Sequence, residues 1–432
     1  MKIVQSFWSL PALNSLNPST ESFSSKFNGG WLRPKYFWMS WALSCLKLRQ
    51  FYDEVELVTD EIGKKILIDQ LKLPYTKVSV CLDKLNHYPT KLWALGKLYT
   101  YQMQDEPFIH VDSDVFIWKK FGPSLENSKL IVQSLENENE HSYYPQIKQI
   151  FQHFDYIPNT FWKHCSPGKK IIGVNAGILG GRDIDFIQYY TKEAFSFVDA
   201  NQDKLPQLDM GLFNTVYEQL LFYYLAKEQN KDISYYFKFT EDKIKPFYTL
   251  AFLPHRLNYI HVMGTHKKKS SVCQHLEARL AFEFPVFYDH LCRILEIPEK
   301  DQADKKINQL KNIYENEKKI CKKTLFNFRF QLLDSYDYEI VNVKKQKNGN
   351  LIKDLFLMRT NKETKEYDSL SLVPNYNELL LHFTKPTTCN DLFPIFRENP
   401  KYDYLNDKSL KTKLYQLIIY HYLFSDMLTL VD

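Results

Sequence analysis

Three short β-type runs within the first 81 residues, separated by helix-length or turn-rich stretches, constrain this chain more than any other feature. Lys2 to Phe7, Glu54 to Thr59 and Lys77 to Cys81 read as strands, the second with a clean Val-Glu-Leu-Val-Thr alternation. Pro34 suits a first helical turn, Tyr36 to Gln50 has the apolar spacing to continue it, and Asp60 caps a further helix through Leu71. Strand, helix, strand, helix, strand is the signature of a mostly parallel sheet covered on both faces. The Pro-, Asn- and Ser-rich stretch from Ser9 to Ser25 is a long loop after the first strand, a position that is often functional.

The pattern continues with a helix over Thr90 to Tyr101, which feeds the apolar run Phe108-Ile-His-Val111, a buried central strand. That strand ends in Asp112-Ser113-Asp114, at the sheet edge where open α/β folds bind ligands. Two carboxylates one residue apart repel each other unless a positive charge lies between them. The economical partner is Mg²⁺ or Mn²⁺, which in turn holds a diphosphate; the alternative is a solvated turn. Leu130 to Val132 reads as a strand and Glu136 to Glu140 as a charged surface loop. Ile171 to Leu179 is a second apolar strand whose small residues, Val174-Asn175-Ala176-Gly177, let another group approach the backbone; a β-bulge is the alternative. Helices follow from Asp183 to Val198 and from Leu212 to Lys227, the latter carrying Glu218-Gln219. Tyr259 to Lys269 is a short strand and a basic turn, with His261, Gly264 and Lys267 spaced as H-x-x-G-x-x-K. Imidazole is a ligand for Mn²⁺, and lysine offsets phosphate charge; a surface strand with a solvated basic run is the other reading.

Composition excludes several classes. A length of 432 residues implies two or three domains, and the formal charge of +5 is too small for wholesale nucleic-acid binding. No apolar run approaches the roughly 20 residues needed to span a bilayer. The first residues lack the apolar core of a signal peptide, and seven scattered cysteines without a C-x-x-C pair suit reduced thiols, so a cytoplasmic location is expected.

Taken together, these segments resemble the GT-A glycosyltransferases, most closely the family of glycogenin and the bacterial lipopolysaccharide galactosyltransferases. Thr90 to Leu98 is similar to that family's lysine-bearing helix, Ile109 to Val115 to its D-x-D strand, Val174 to Leu179 to its N-A-G strand, and His261 to Lys267 to its late histidine and lysine. The resemblance implies an α/β fold of GT-A (Rossmann-like) type, with a mostly parallel sheet and helices on both faces. It further implies a metal-dependent hexosyltransferase acting on a nucleotide sugar, a UDP-sugar in that family. Asp112, Asp114 and His261 would hold Mn²⁺ or Mg²⁺. Lys97, Ser113, Asn175, Gly177, Gly264 and Lys267 would bind the donor, with Gln5 to Trp8 near the nucleobase. Glu218 and Gln219 resemble the family's Asp-Gln pair at the reacting carbon, whose retaining chemistry would then apply. Here the acid is one methylene longer, position 220 is Leu rather than acidic, and Lys268-Lys269 stand where the family has Pro-Trp. The altered pair motivates the alternative of an inactive nucleotide-sugar-binding or interaction protein. A metal-dependent nuclease or phosphatase leaves the N-A-G strand and the late basic turn without a role.

The expected division is residues 1–269 for the transferase, 270–330 for a helical extension and charged linker, and 331–432 for a small C-terminal α+β domain. Lys300 to Lys323 reads as a solvated helix or linker, with peripheral membrane contact the lesser alternative. Tyr336 to Val343 and Leu355 to Arg359 flank an Asn348-Gly349-Asn350 hairpin turn, followed by helices at Leu379 to Phe383, Thr387 to Phe396 and Leu410 to Phe424. This part is either a plain helical appendage or similar to the winged-helix peptide-recognition domains of peptide-modifying enzymes. The acceptor is accordingly a glycan, a lipid-linked glycan or a peptide.

Overall fold

The computed structural model describes residues 1–13, 29–137, 143–165, 169–237, 258–268, 270–298, 329–334, 336–347, 350–362, 365, 367–372, 374–419, 421 and 427–431. Most of the loop to Ser25, the acidic run beyond Asn137, Lys269, the Lys300 to Lys323 segment and the Asn348-Gly349 turn lie outside the described residues. The chain forms two compact units, Met1–Lys268 with Glu283–Gln302 and Lys269–Phe282 with Ala303–Asp432.

The first unit has the expected α/β class, built on a seven-stranded sheet. Its strands are β1 (Lys2–Phe7), β2 (Val55–Thr59), β3 (Lys77–Val80), β4 (Phe108–Val111), β6 (Leu130–Asn137), β7 (Ile172–Gly181) and β8 (Ile233–Phe237), in the order β3-β2-β1-β4-β7-β6-β8. All run one way except β7, which is antiparallel to both its neighbours. β5 (Val115–Ile117) pairs instead with β9 (Tyr259–His261) in a separate two-stranded ladder.

Strand alternation sorts the apolar residues onto two faces. Ile3, Val55, Ile109, Ile131 and Ile178 share one buried cluster, while Val4, Val58, Phe108, Val132 and Leu179 share the other. Burial on both faces explains why Phe108–Val111 reads as an almost continuous apolar run, with each fully buried aliphatic side chain contributing about 1.5–3 kcal/mol.

Helix α1 (Pro34–Phe51) begins at its proline as expected. Asp60 accepts a hydrogen bond from the Gly63 N–H and caps the short helix Glu61–Lys64, which widens into a π turn to Gln70. Helix α2 (Leu95–Gln102) starts later than Thr90, because Asn214 holds the preceding turn: its Oδ1 accepts from the Ala94 N–H and its Nδ2 donates to the Lys91 carbonyl. Helix α3 (Ile184–Asp199) is capped by Asp183. Beyond it, α4 (Met210–Thr215), a π turn at Val216–Leu220 and α5 (Leu221–Glu228) occupy the single helix expected there.

In the second unit, β10 (Arg329–Leu332) lies between β14 (Thr387–Thr388) and β15 (Leu428–Val431). β11 (Tyr336–Lys347), β12 (Asn350–Asn361) and β13 (Tyr367–Ser371) form an antiparallel meander. The helix expected from Thr387 starts at Cys389 instead (α6, Cys389–Arg397), because Thr388 is extended and forms a reciprocal capping box with Asp391. With α7 (Asp407–Ile419) it contributes the buried residues Leu392, Phe396, Leu410 and Ile418. Among the described residues no helix is long and apolar enough to cross a membrane.

Candidate functional site

Where β4 ends, the chain turns under backbone control: the Asp112 N–H donates to the Gly177 carbonyl at 2.9 Å and the Val115 N–H to the Asp112 carbonyl at 3.0 Å. Helix α1 fixes this turn from below. Ser40 Oγ donates to the Ser113 carbonyl at 2.7 Å and Ser44 Oγ to the Val115 carbonyl at 2.8 Å, while Gln5 Nε2 donates to Ser44 Oγ. Asp114 is only 6 % exposed, so its end of the Asp-Ser-Asp turn is buried, while Asp112 and Ser113 are half-buried.

Pairing of β5 with β9 sets Val115 opposite His261 and carries the imidazole to the aspartates. His261 Nε2 lies 3.2 Å from Asp114 Oδ1, and one ligand atom each from Asp112, Asp114 and His261 falls within 4.8 Å of the others. His261 Nδ1 lies 2.8 Å from Gln133 Oε1, which also accepts from the Tyr259 hydroxyl at 2.6 Å. A carbonyl oxygen only accepts, so Nδ1 carries the proton and Nε2 keeps its lone pair for a metal. Gly177 makes this packing possible, since a Cβ there would stand 2.4 Å from both Gln133 Oε1 and His261 Nδ1. Two carboxylates and one imidazole form a donor set that suits a divalent metal ion.

Two lysines balance the aspartates. Lys97 Nζ reaches Asp112 at 2.9 Å and Glu218 at 2.6 Å, and Lys267 Nζ reaches Asp114 at 2.6 Å. Burial works to raise the Asp114 pKa, but the charge of Lys267 at 2.6 Å prevails and holds it well below the carboxylate range. Burial raises Asp112 despite Lys97, and it raises Glu218 likewise. Burial opposes charge on Lys97 too, yet Asp112 and Glu218 outweigh it and push that pKa up.

The centre opens into a cavity of about 840 Å³, a size suited to a small organic ligand. Lys97, Asp112, Ser113, Asp114, Asn175 and Gly177 line it, as do Gln219, His261, Gly264 and Lys267. Asn175 Oδ1 accepts from the Gly177 N–H, and its Nδ2 donates to Glu136 at 2.7 Å. Gly264 has φ +50°, with nothing within 4 Å of a Cβ position. Glu218 does not line the cavity: the π turn sends it into the core under Lys97, fully buried, while its neighbour Gln219 faces the space. Phe7, Trp8, Trp31, Phe37 and Trp41 also line the cavity, and Phe7 packs on Trp41 with centroids 5.2 Å apart.

Sequence reasoning missed Glu136 and Gln133 here. Glu136, read as part of a surface loop, belongs to β6 opposite Gly173 and turns its carboxylate to the cavity. Gln133 is buried beneath the imidazole, and the signal for it was a lone amide interrupting the apolar run Leu130-Ile-Val.

Comparison with known proteins adds a family. No curated protein matches the sequence. Among solved structures, the apo form of mouse xyloside xylosyltransferase 1 is similar, with 11% identity and a TM-score of 0.28 over 54% of this chain and 84% of that one. Residues 1–294 of the 432 match the profile of DUF6734, described as a family of unknown function, and the chain belongs to that family.

Proposed function

We propose that the chain is a metal-dependent glycosyltransferase that moves a hexose from a UDP-sugar to a hydroxyl acceptor. The observation that carries this reading is the convergence of Asp112, Asp114 and His261, from two separate stretches of chain, at the mouth of a cavity large enough for a nucleotide sugar. A bound divalent ion would neutralise the diphosphate and stabilise it as a leaving group. Lys267, already beside Asp114, is in reach of the same charge. Lys97 orders Asp112 from beneath, Asn175 and Gly177 shape the sugar end, Ser113 and Gly264 offer backbone near the phosphates, and the aromatic wall around Phe7 and Trp8 suits a nucleobase. Gln219 is the polar side chain for the reacting face, consistent with retention.

Burial of Glu218 under Lys97 removes the expected acid from that face and favours a second reading, a nucleotide-sugar-binding protein without turnover. Donor hydrolysis without acceptor separates the two. The acceptor proposed is a glycan, a lipid-linked glycan or a peptide, in the cytoplasm, and the C-terminal residues 331–432 are either a plain helical appendage or a peptide-recognition domain for it. Titration calorimetry with UDP, with and without Mn²⁺, tests the main reading. Wild type should bind only with the metal and Asp114→Asn should not bind at all; affinity indifferent to both changes would refute the metal assignment.

A further inference from the structure

Gln219 is held in one orientation by a residue the sequence did not single out. The Tyr143 hydroxyl donates to Gln219 Oε1 at 3.0 Å and lies 3.4 Å from Glu136 Oε2. Gly173 makes room for the phenol, because a Cβ there would stand 2.7 Å from the Tyr143 oxygen. Gly173 is also the register partner of Glu136, whose other oxygen accepts from Asn175. Asn175, Glu136, Tyr143 and Gln219 thus form one polar chain along the cavity wall.

A phenol has a single proton to give. With that proton on Gln219 Oε1 the hydrogen bond is well formed; the flipped amide would force the phenol to donate to Glu136 over 3.4 Å while accepting from Gln219. The observed orientation leaves Gln219 Nε2 without a protein partner among the described residues, and the side chain lines the cavity. The π turn at Val216–Leu220 adds to this by parting Gln219 from the buried Glu218.

We propose that Tyr143 is a positioning residue which turns Gln219 so that its amide nitrogen, and not its carbonyl oxygen, meets the sugar of a bound nucleotide sugar. Gln219 then acts as a hydrogen-bond donor to a sugar oxygen or to the glycosidic oxygen. Its carbonyl is occupied and takes no part as a nucleophile. The inference rests on the transferase reading and adds a direction to it.

The test compares the affinities of UDP and UDP-glucose, and of UDP-galactose in parallel, by calorimetry with Mn²⁺. Wild type, Tyr143→Phe, Gln219→Glu and Gln219→Ala are compared after their melting curves are shown to match. Gln219→Glu removes the donor and should lower UDP-sugar affinity about tenfold, as should Gln219→Ala, with UDP affinity unchanged. Tyr143→Phe frees the amide to flip and should lower UDP-sugar affinity two- to fivefold, again sparing UDP. A general structural defect would move both ligands together and would overturn the positioning role. UDP-sugar affinity that is kept or raised in Gln219→Glu, or unaltered in Tyr143→Phe, would overturn the inference alone. No UDP binding by wild type would overturn the transferase reading and this inference with it.

Discussion

Replacing Lys97 by Met tests the buried charge cluster beneath the candidate metal centre. Lys97 is 8 % exposed and Glu218 is fully buried, with Oε1 bonded to Lys97 and Tyr101 and Oε2 without a hydrogen-bond partner among the described residues. Met keeps the stem volume and removes the charge, which leaves Glu218, among those residues, with one phenol as its donor. A carboxylate in that position takes up a proton rather than remain charged. Drawing a proton at pH 7 onto a group whose ordinary pKa is 4.5 costs about 3.4 kcal/mol, at about 1.4 kcal/mol per pH unit. Asp112 is spared most of this, because its side chain is 23% exposed and water reaches it. Burial already holds the Glu218 pKa above 4.5 in the wild type, so that figure is an upper bound and the expected loss at pH 7 is up to about 3 kcal/mol.

The sign of the pH dependence follows from linkage. In the variant the folded-state pKa of Glu218 lies above its unfolded value, so its contribution to stability is greatest at low pH and is lost as pH rises. The deficit against wild type should shrink by up to about 1.4 kcal/mol per unit between pH 7 and pH 5. Urea denaturation in chelator, followed by tryptophan fluorescence, isolates the effect, since all seven tryptophans lie in Met1–Lys268. Adding Glu218→Gln to the variant should recover most of the loss. A deficit under about 1 kcal/mol, or one constant from pH 7 to pH 5, would refute the assignment of Lys97 and Glu218 as a buried ion pair.

Gly177→Ala should push His261 and Gln133 apart, lowering Mn²⁺ affinity by about 10- to 100-fold in calorimetry and stability by about 1–3 kcal/mol. Unchanged Mn²⁺ affinity would take His261 off the ion. Asp183→Ala should cost about 1–2 kcal/mol at pH 7, because Asp183 caps α3 through the Phe186 N–H and pairs with Lys231 at 2.6 Å. Burial opposes its charge, but Lys231 and the cap hold its pKa below the usual carboxylate value, so the gap to wild type should close as urea midpoints are followed from pH 7 to pH 3. Thr388→Ala should remove the capping box of α6 and destabilise the second unit by about 1 kcal/mol, read from its melting by circular dichroism. No shift there would mean that the cap does not limit the stability of that unit.

Much of this was legible in the sequence because it depends on local periodicity. The strands Lys2–Phe7 and Phe108–Val111, the helix opened by Pro34 and the cap at Asp60 follow from side chains that act within one turn or one strand. Asp112, Asp114 and His261 could be singled out because carboxylates at a strand end and an imidazole before a basic turn carry their chemistry in their residue types and spacing. Other features arise only between segments distant in sequence. Asn214 reaches back to Ala94 to delay α2, and β5 leaves the main sheet to pair with β9. Gln133 sets the His261 tautomer from a strand 128 residues away, and Glu136 became a cavity wall by pairing with Gly173. Glu218 and Gln219 are adjacent in the chain and nearly alike in chemistry. A π turn and a buried lysine send one to the core and the other to the cavity. Sequence by itself determined the alternation of strands and helices from β1 to β4 and the residue types at the sheet edge, since those rest on short-range geometry. Which lone pairs and protons face the cavity was decided by tertiary structure, because hydrogen-bond direction depends on partners that only folding brings within 3 Å.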